Sequence, residues 1–392
     1  MRKIYLDNNA TTRTAPEVLE AMKPYFSEIY GNASSIHTFG RAARAAVDSA
    51  REKVAQAIGA AEPSEIIFTS GGTESDNLAI KGTAWAHKEK GNHIITSAIE
   101  HHAVLNPCEF LERCGFEITK LPVDNYGIVN LDALKRAITD KTILVTIMLA
   151  NNEVGTIEPL EEVGAFCRER GVLFHTDAVQ AVGKISIDVQ KLNVDLLSLS
   201  GHKFHGPKGV GALYMRKRTK ITPLLHGGHH ERSMRAGTEN VPGIAGLAAA
   251  IELAGKDMKS KKEYLTNLRE RLYNGIVKNV DFVGLNGHPQ KRLVNTLNVG
   301  FEFLEGESIV LNLDLEGVAA STGSACTSGS LEQSHVLGAM NVPPEKVQGA
   351  VRFSLSEENT QQEIDYVIEV LPPIVKRLRA MSPLYADKLK KG

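Results

Sequence analysis

The chain has 392 residues, 42% of them hydrophobic, enough to bury a large core and to form two domains or one large domain with an appendage. Its 45 basic and 46 acidic residues nearly cancel, which argues against a nucleic-acid-binding stripe and against a polyacidic tail. No apolar run approaches membrane-spanning length and the first seven residues lack an apolar signal core, so a cytoplasmic protein with no membrane partner is expected.

A short strand is expected at residues 4–6, followed by the turn formers Asp7-Asn-Asn-Ala-Thr-Thr12. A helix begins near Ala15 with Pro16 in its first turn, residues 31–37 read as an irregular polar loop, and apolar positions recur at helical spacing over 39–58. From 65 to 187, β-branched runs at 66–68, 93–96, 116–121, 142–147 and 172–174 alternate with helical stretches. That alternation signals an α/β architecture, a mainly parallel sheet with helices on its faces. Two more buried strands flank the stretch 198–209. An Ala-rich helix starts after Val241-Pro-Gly243, and the charged run 256–263 marks an expected boundary. Beyond it, a helix to about 279, strand-like runs at 296–299 and 351–355, a Gly-Ser-rich loop at 321–330 and a helix at 361–381 form a smaller mixed domain. The Lys-rich last residues are expected to fray. The expected division is a large domain of residues 15–257 and a small domain of residues 1–14 and 258–392.

Ligands of parallel sheets bind at the carboxyl ends of the strands, so those positions are where chemistry is sought. The first run ends in Thr69-Ser-Gly-Gly-Thr-Glu-Ser-Asp-Asn77. This is either a ligand-free helix cap, with Thr73 and Asp76 spaced as a capping box, or a phosphate cradle of glycines and helix N–H groups. The second ends in Glu100-His-His102 and the fourth in Asn151-Asn-Glu153, residue types that serve turns as readily as catalysis. The fifth ends in His175-Thr-Asp-Ala-Val-Gln180, where Asp177 is either a helix cap or the partner of a protonated ring nitrogen. Lys203, between two apolar runs, is either an ordinary loop lysine or an amine whose surroundings disfavour its charge and make it nucleophilic toward an aldehyde. A lysine, a carboxylate and a phosphate cradle at one sheet edge are the parts that hold pyridoxal 5'-phosphate. The nicotinamide fingerprint and the Walker lysine are both missing from the sequence.

The four cysteines, Cys108, Cys114, Cys167 and Cys326, are too scattered for a disulfide framework or a close metal-ligating pair. Free thiols are expected, with Cys108, Cys114 and Cys167 as buried small hydrophobes on helices.

Ten segments, in order, resemble the pyridoxal-phosphate-dependent cysteine desulfurases of the nitrogen-fixation and iron-sulfur-cluster group, within the class-V aminotransferases. They are Tyr5-Leu-Asp-Asn-Asn-Ala-Thr-Thr12, Gly31-Asn32 with Ser34-Ser35 and His37, Thr69-Ser70 with Thr73-Glu74-Ser75, Glu100-His101, Asn151-Asn-Glu153, Asp177 with Gln180, Ser200-Gly-His-Lys-Phe204, Arg235 with Gly237-Thr238, Ser324-Ala-Cys326 and Arg352-Phe-Ser354. The resemblance implies an aspartate-aminotransferase-like fold (fold type I), a homodimer, and conversion of L-cysteine to L-alanine with sulfur left as a persulfide. It implies that Lys203 is the Schiff-base lysine, Asp177 the pyridinium partner, and His101 the ring-stacking residue and a proton carrier. Gly72, Thr73, Ser200 and His202 would contact the phosphate, with Thr238 reaching across from the other subunit. Asn152 and Gln180 would lie near the ring's phenolic oxygen, and Arg352 with Asn152 would hold the substrate carboxylate. Cys326, in a small-residue stretch suited to a mobile loop, would accept the sulfur, pass it to an iron-sulfur scaffold protein or another acceptor, and could serve as a transient iron-sulfur ligand shared with that scaffold.

Two departures stand out. Gly227-Gly-His-His-Glu-Arg232 has His229 and His230 where the family has glycine and glutamine, and Ser356 and Glu357 replace a glycine and a basic residue. The sequence also admits a selenocysteine lyase or another lyase or aminotransferase of the same fold. A further alternative is a non-catalytic sulfur or metal carrier using His226, His229, His230 and Cys326.

Overall fold

The computed structural model describes residues 2–323 and 333–391. The strands, in chain order, are β1 (Ile4–Tyr5), β2 (Ile66–Thr69), β3 (His93–Ser97), β4 (Glu117–Leu121), β5 (Thr142–Thr146), β6 (Leu173–Asp177), β7 (Leu196–Ser200), β8 (Gly211–Met215), β9 (Val283–Asn286), β10 (Thr296–Phe301), β11 (Val318–Ala319) and β12 (Ala350–Ser354). Seven of them form one sheet in the order β2-β8-β7-β6-β5-β3-β4. Pairing is parallel from β4 through β7, and β8 alone runs antiparallel to both neighbours. Every residue of β3, β5 and β7 is buried, as helices on both sheet faces require, and the sequence answers with near-continuous apolar and β-branched runs.

The single reversal positions the site. β7 returns directly as β8, with Ser200 opposite Gly211, so residues 201–210 form a loop at the carboxyl end of β7. The loop opens with a short 3-10 turn, Gly201–Lys203.

Residues 2–14 cross to the other core. β1 pairs in parallel with β11, while β9, β10 and β12 form a three-stranded antiparallel sheet. One apolar cluster joins Val47, Leu199, Tyr214 and Leu247; a second joins Leu6, Leu272, Phe301, Phe353 and Leu371. The long helix Thr38–Ile58 packs along the Ala-rich helix Val241–Gly255.

The fold differs from the sequence expectation in several places. Pro383–Lys391, within the stretch expected to be irregular, is a helix. Most of the charged run lies within the helix Met258–Asn279, preceded by Asp257 at φ +51°. β9, β11 and the helix Gly306–Leu315 were not anticipated, because Val283-Gly-Leu-Asn286 and Val318–Ala319 are too short for a periodic signal. Cys108 and Cys167 are buried, but Cys114 is exposed, since it caps the helix His102–Arg113 rather than facing its packed side. No helix among the described residues is long and apolar enough to cross a membrane.

Candidate active site

A cavity of about 310 Å³ opens at the carboxyl ends of the sheet strands. Gly72, Thr73, Asp76, His101, Asn152, Asp177, Gln180, Ser200, His202, Lys203 and Arg352 all line it. Thr238, His226, His229 and His230 do not line it. Thr238 is exposed and does not line the cavity of its own chain. Cys326 lies outside the described residues, and so does its implied service as an iron-sulfur ligand. His226, His229 and His230 form no metal cluster: among the described residues no group of three or more His, Cys, Asp or Glu could hold an ion. His229 instead meets Ser233 at 3.1 Å, and His230 lies 3.8 Å from Glu239.

One end of the cavity is the N-terminus of the helix Gly72–His87. Its N-cap is Gly71 at φ +153°, and no side chain caps it. The Thr73–Asp76 capping box is therefore not formed: Glu74 turns back to accept from the Ser70 N–H at 2.8 Å, held by Arg235 at 2.8 Å, and Asp76 faces the interior. The N–H groups of the first turn are left to an anion. A Cβ on Gly72 would stand 2.7 Å from Val179 Cγ2, so only glycine lets the backbone sit this close to the strand ends. His202 meets Thr11 at 3.1 Å; burial, then the charges of Lys203, Lys208 and Lys184, pulls its pKa to about 4, so it is neutral.

Lys203 is half-buried, and its ammonium donates to the carbonyl oxygens of Asn9 at 2.7 Å and Ala10 at 2.9 Å. It is not a solvent-exposed loop lysine. Asp177, 6% exposed at the end of β6, accepts from the Val179 N–H at 2.8 Å. Burial pushes its carboxyl up to about 6, while the Val179 N–H and the Lys203 charge pull it down. Asp76, behind it, is driven well above the usual carboxylate range by burial and by the charge of Asp177. Burial and mutual repulsion thus disfavour a second negative charge at Asp76 beside that of Asp177. His175, buried between Thr146 at 2.8 Å and Ser198 at 3.0 Å, is pulled down to about 3 by burial and adds no charge.

His101 precedes the helix His102–Arg113, and its Nδ1 accepts from the Ala103 N–H at 3.1 Å. Burial, then the charges of Lys203, His102 and His335, lowers its pKa to about 4, so the neutral ring carries its proton on Nε2. Arg352, on β12 and 3% exposed, donates to Asp7 at 2.8 Å and to the Asn152 carbonyl at 3.0 Å.

Sequence reasoning passed over Asp7, Asn9 and Lys184 as individuals. Asn9 is a hub: its carbonyl accepts from Lys203 and Gln180, and its amide donates to the Asn152 carbonyl at 3.1 Å and to Thr296 at 2.9 Å. Lys184 reaches Gln180 Oε1 at 2.9 Å. Burial, then the charges of Lys203 and Arg352, lowers the Lys184 pKa to about 7.

These residues fit pyridoxal 5'-phosphate. The cavity joins a helix N-terminus for the phosphate, a half-buried amine for the aldehyde and a single buried negative charge for the pyridinium.

Comparison with known proteins agrees. The family model described as aminotransferase class-V matches residues 4–367. The chain is 57% identical over 383 residues to the cysteine desulfurase IscS of Methanosarcina thermophila, covering 98% of this chain and 94% of the relative. It is 57% identical to the cysteine desulfurase IscS of Dictyoglomus turgidum, covering 97% of each. A solved NifS-like protein superposes with a TM-score of 0.91 at 42% identity, covering 96% of this chain and all of that one.

Proposed function

The chain belongs to the class-V aminotransferase family and is a pyridoxal-phosphate-dependent cysteine desulfurase, and from that premise we propose how its residues divide the reaction. L-cysteine is converted to L-alanine, and Cys326 receives the sulfur as a persulfide. The cofactor, when bound, supplies an electron sink for the bonds at the substrate's α-carbon.

Lys203 Nζ would hold the cofactor aldehyde and would carry the substrate's α-proton. Asp177 keeps the ring nitrogen protonated; its pKa of about 6 leaves it charged at neutral pH. His101 offers a proton at Nε2 and acts as a donor, because Nδ1 is committed to the Ala103 N–H. Gly72, Thr73, Ser200 and His202 seat the phosphate. Asn152 and Gln180 flank the ring oxygen. Arg352, set in the cavity wall by Asp7 and the Asn152 carbonyl, would hold the substrate carboxylate. The observation that carries this reading is the convergence of Lys203, Asp177 and the bare helix N-terminus on one cavity.

Several further parts belong to the proposal. The two apolar clusters support large and small domains of residues 15–257 and of 1–14 with 258–392. The exposed Phe26, Tyr30, Ile36 and Phe39 support a homodimer, in which Thr238 serves the partner's site. We place the enzyme in the cytoplasm and take an iron-sulfur scaffold as the sulfur acceptor, the latter in line with the name IscS of its relatives.

Lys203→Ala tests the cofactor attachment: the visible absorption band of the bound cofactor disappears, and a normal band would sink the assignment. Cys326→Ser keeps the band and loses alanine production from cysteine. A variant still producing alanine at the parent rate removes Cys326 as acceptor. Persulfide on Cys326 after incubation with cysteine separates this reading from a selenocysteine lyase.

A further inference from the structure

Lys184 lies on the turn after β6, four residues beyond Gln180, and has no part in the chemistry above. Its nitrogen is 2.9 Å from Gln180 Oε1 and 3.5 Å from Asn9 Oδ1. Gln180 Nε2 donates to the Asn9 carbonyl at 2.9 Å, the same oxygen that accepts from Lys203 at 2.7 Å. An ammonium can only donate, so the oxygen end of the Gln180 amide must face Lys184. The flipped amide would set its N–H groups against the ammonium and its oxygen against the Asn9 carbonyl, losing two hydrogen bonds at once. Deprotonated, the lysine amine still has two hydrogens for the same two oxygens, so the arrangement survives the loss of its charge.

Gln180 Nε2 carries two hydrogens. One is given to Asn9; the other is available to the cavity that Gln180 lines. Lys184 itself does not line that cavity but a second, smaller one, with Lys203, His205, Lys261 and Glu357.

We propose that Lys184 is a positioning residue: it locks the Gln180 amide so that an N–H, never a carbonyl, is presented to the ring oxygen of the cofactor. The proposal rests on the place assigned to Gln180 beside that oxygen. A donor there favours the oxygen as an anion and lowers the proton affinity of the group it shares a proton with. Lys184 touches neither cofactor nor substrate in this arrangement and acts through Gln180.

The test is the pH midpoint between the visible and near-ultraviolet absorption bands of the holoenzyme, measured for Lys184→Met, Lys184→Arg, Gln180→Met and the double variant Lys184→Met/Gln180→Met. Lys184→Met raises the midpoint by about one unit, a tenfold change in proton affinity. Lys184→Arg, which keeps the donor, stays within about 0.3 unit of the parent, a small fraction of that shift. In the Gln180→Met background, Lys184→Met adds nothing further. Melting temperatures of the four apoproteins confirm that each variant is folded. A shift in Gln180→Met with none in folded Lys184→Met overturns the proposal and leaves Gln180 in place. The same full shift for Lys184→Met with or without Gln180 also overturns it, because Lys184 then acts by charge alone. An unmoved midpoint in Gln180→Met takes away the premise and the proposal together.

Discussion

Arg352 is tied to Asp7 at 2.8 Å, a contact between residues 345 positions apart in the chain. One terminal nitrogen goes to Asp7 and the other to the Asn152 carbonyl, so the guanidinium plane is set before any substrate arrives.

Lysine cannot reproduce that fork. Arg352→Lys raises the KM for L-cysteine by about 10- to 100-fold, the loss of one charge-assisted hydrogen bond of about 1.5–3 kcal/mol, with a smaller change in kcat. Steady-state alanine production measures both. A fall in kcat alone would assign Arg352 to the chemical step instead.

Gly72→Ala places a methyl group 2.7 Å from Val179 Cγ2 at the phosphate end of the cavity. The helix start must move away from the strand ends, and cofactor affinity falls by about tenfold or more, since overpacking costs about 1–3 kcal/mol. Titration of the apoprotein with cofactor reads the change directly.

Glu231 sits in the segment where this chain departs from its family. It is buried against Arg51 at 2.7 Å, and it also accepts from the Phe68 N–H of β2 at 2.9 Å. Those bonds hold residues 231–233, all at positive φ, without glycine. Glu231→Gln leaves Arg51 buried and uncompensated and destabilises the fold by about 3–5 kcal/mol. The melting temperature of the apoprotein drops by several degrees; a drop below one degree would show that the pair contributes little.

The second departure, Glu357, pairs with His205 at 3.4 Å, in the loop that carries Lys203. Burial works against both charges, but the pair prevails: Glu357 falls to about 2 and His205 rises above its ordinary value of 6.5. The Glu357 share of the stability is present above pH 4.5 and is lost as pH falls toward 2. The His205 share is complete below pH 6.5 and is lost as pH rises through its raised value. The melting-temperature gap between parent and Glu357→Gln is therefore widest between pH 4.5 and 6.5 and narrows toward pH 8. A gap that grows with pH would contradict the pairing.

The parallel sheet was legible because strands buried on both faces must be apolar throughout, and β3, β5 and β7 are. The site residues were legible where they stand at strand ends, as Asp177 and Lys203 do. Their supports were not. Asn9 and Ala10 meet Lys203 through backbone carbonyls, 194 and 193 residues away, and a carbonyl leaves no mark on residue choice. Thr73 and Asp76 had the spacing of a capping box, but Asp76 turns inward to stand 3.6 Å from the buried His175 and leaves the cap unmade. Lys184 stands four residues after Gln180, a spacing that carries information only once the intervening turn is known.

The route of the first dozen residues has a consequence for synthesis. Residues 4–9 are synthesised long before Val318, Ala319 and Ser354, on which they rest. The β2 to β8 core can assemble on the emerging chain while its lysine still lacks the Asn9 and Ala10 carbonyls in their final places. Synthesis of residues 318–354 thus gates completion of the site, because the N-terminal arm that carries Asn9 and Ala10 has no β11 or β12 to rest on until they have emerged.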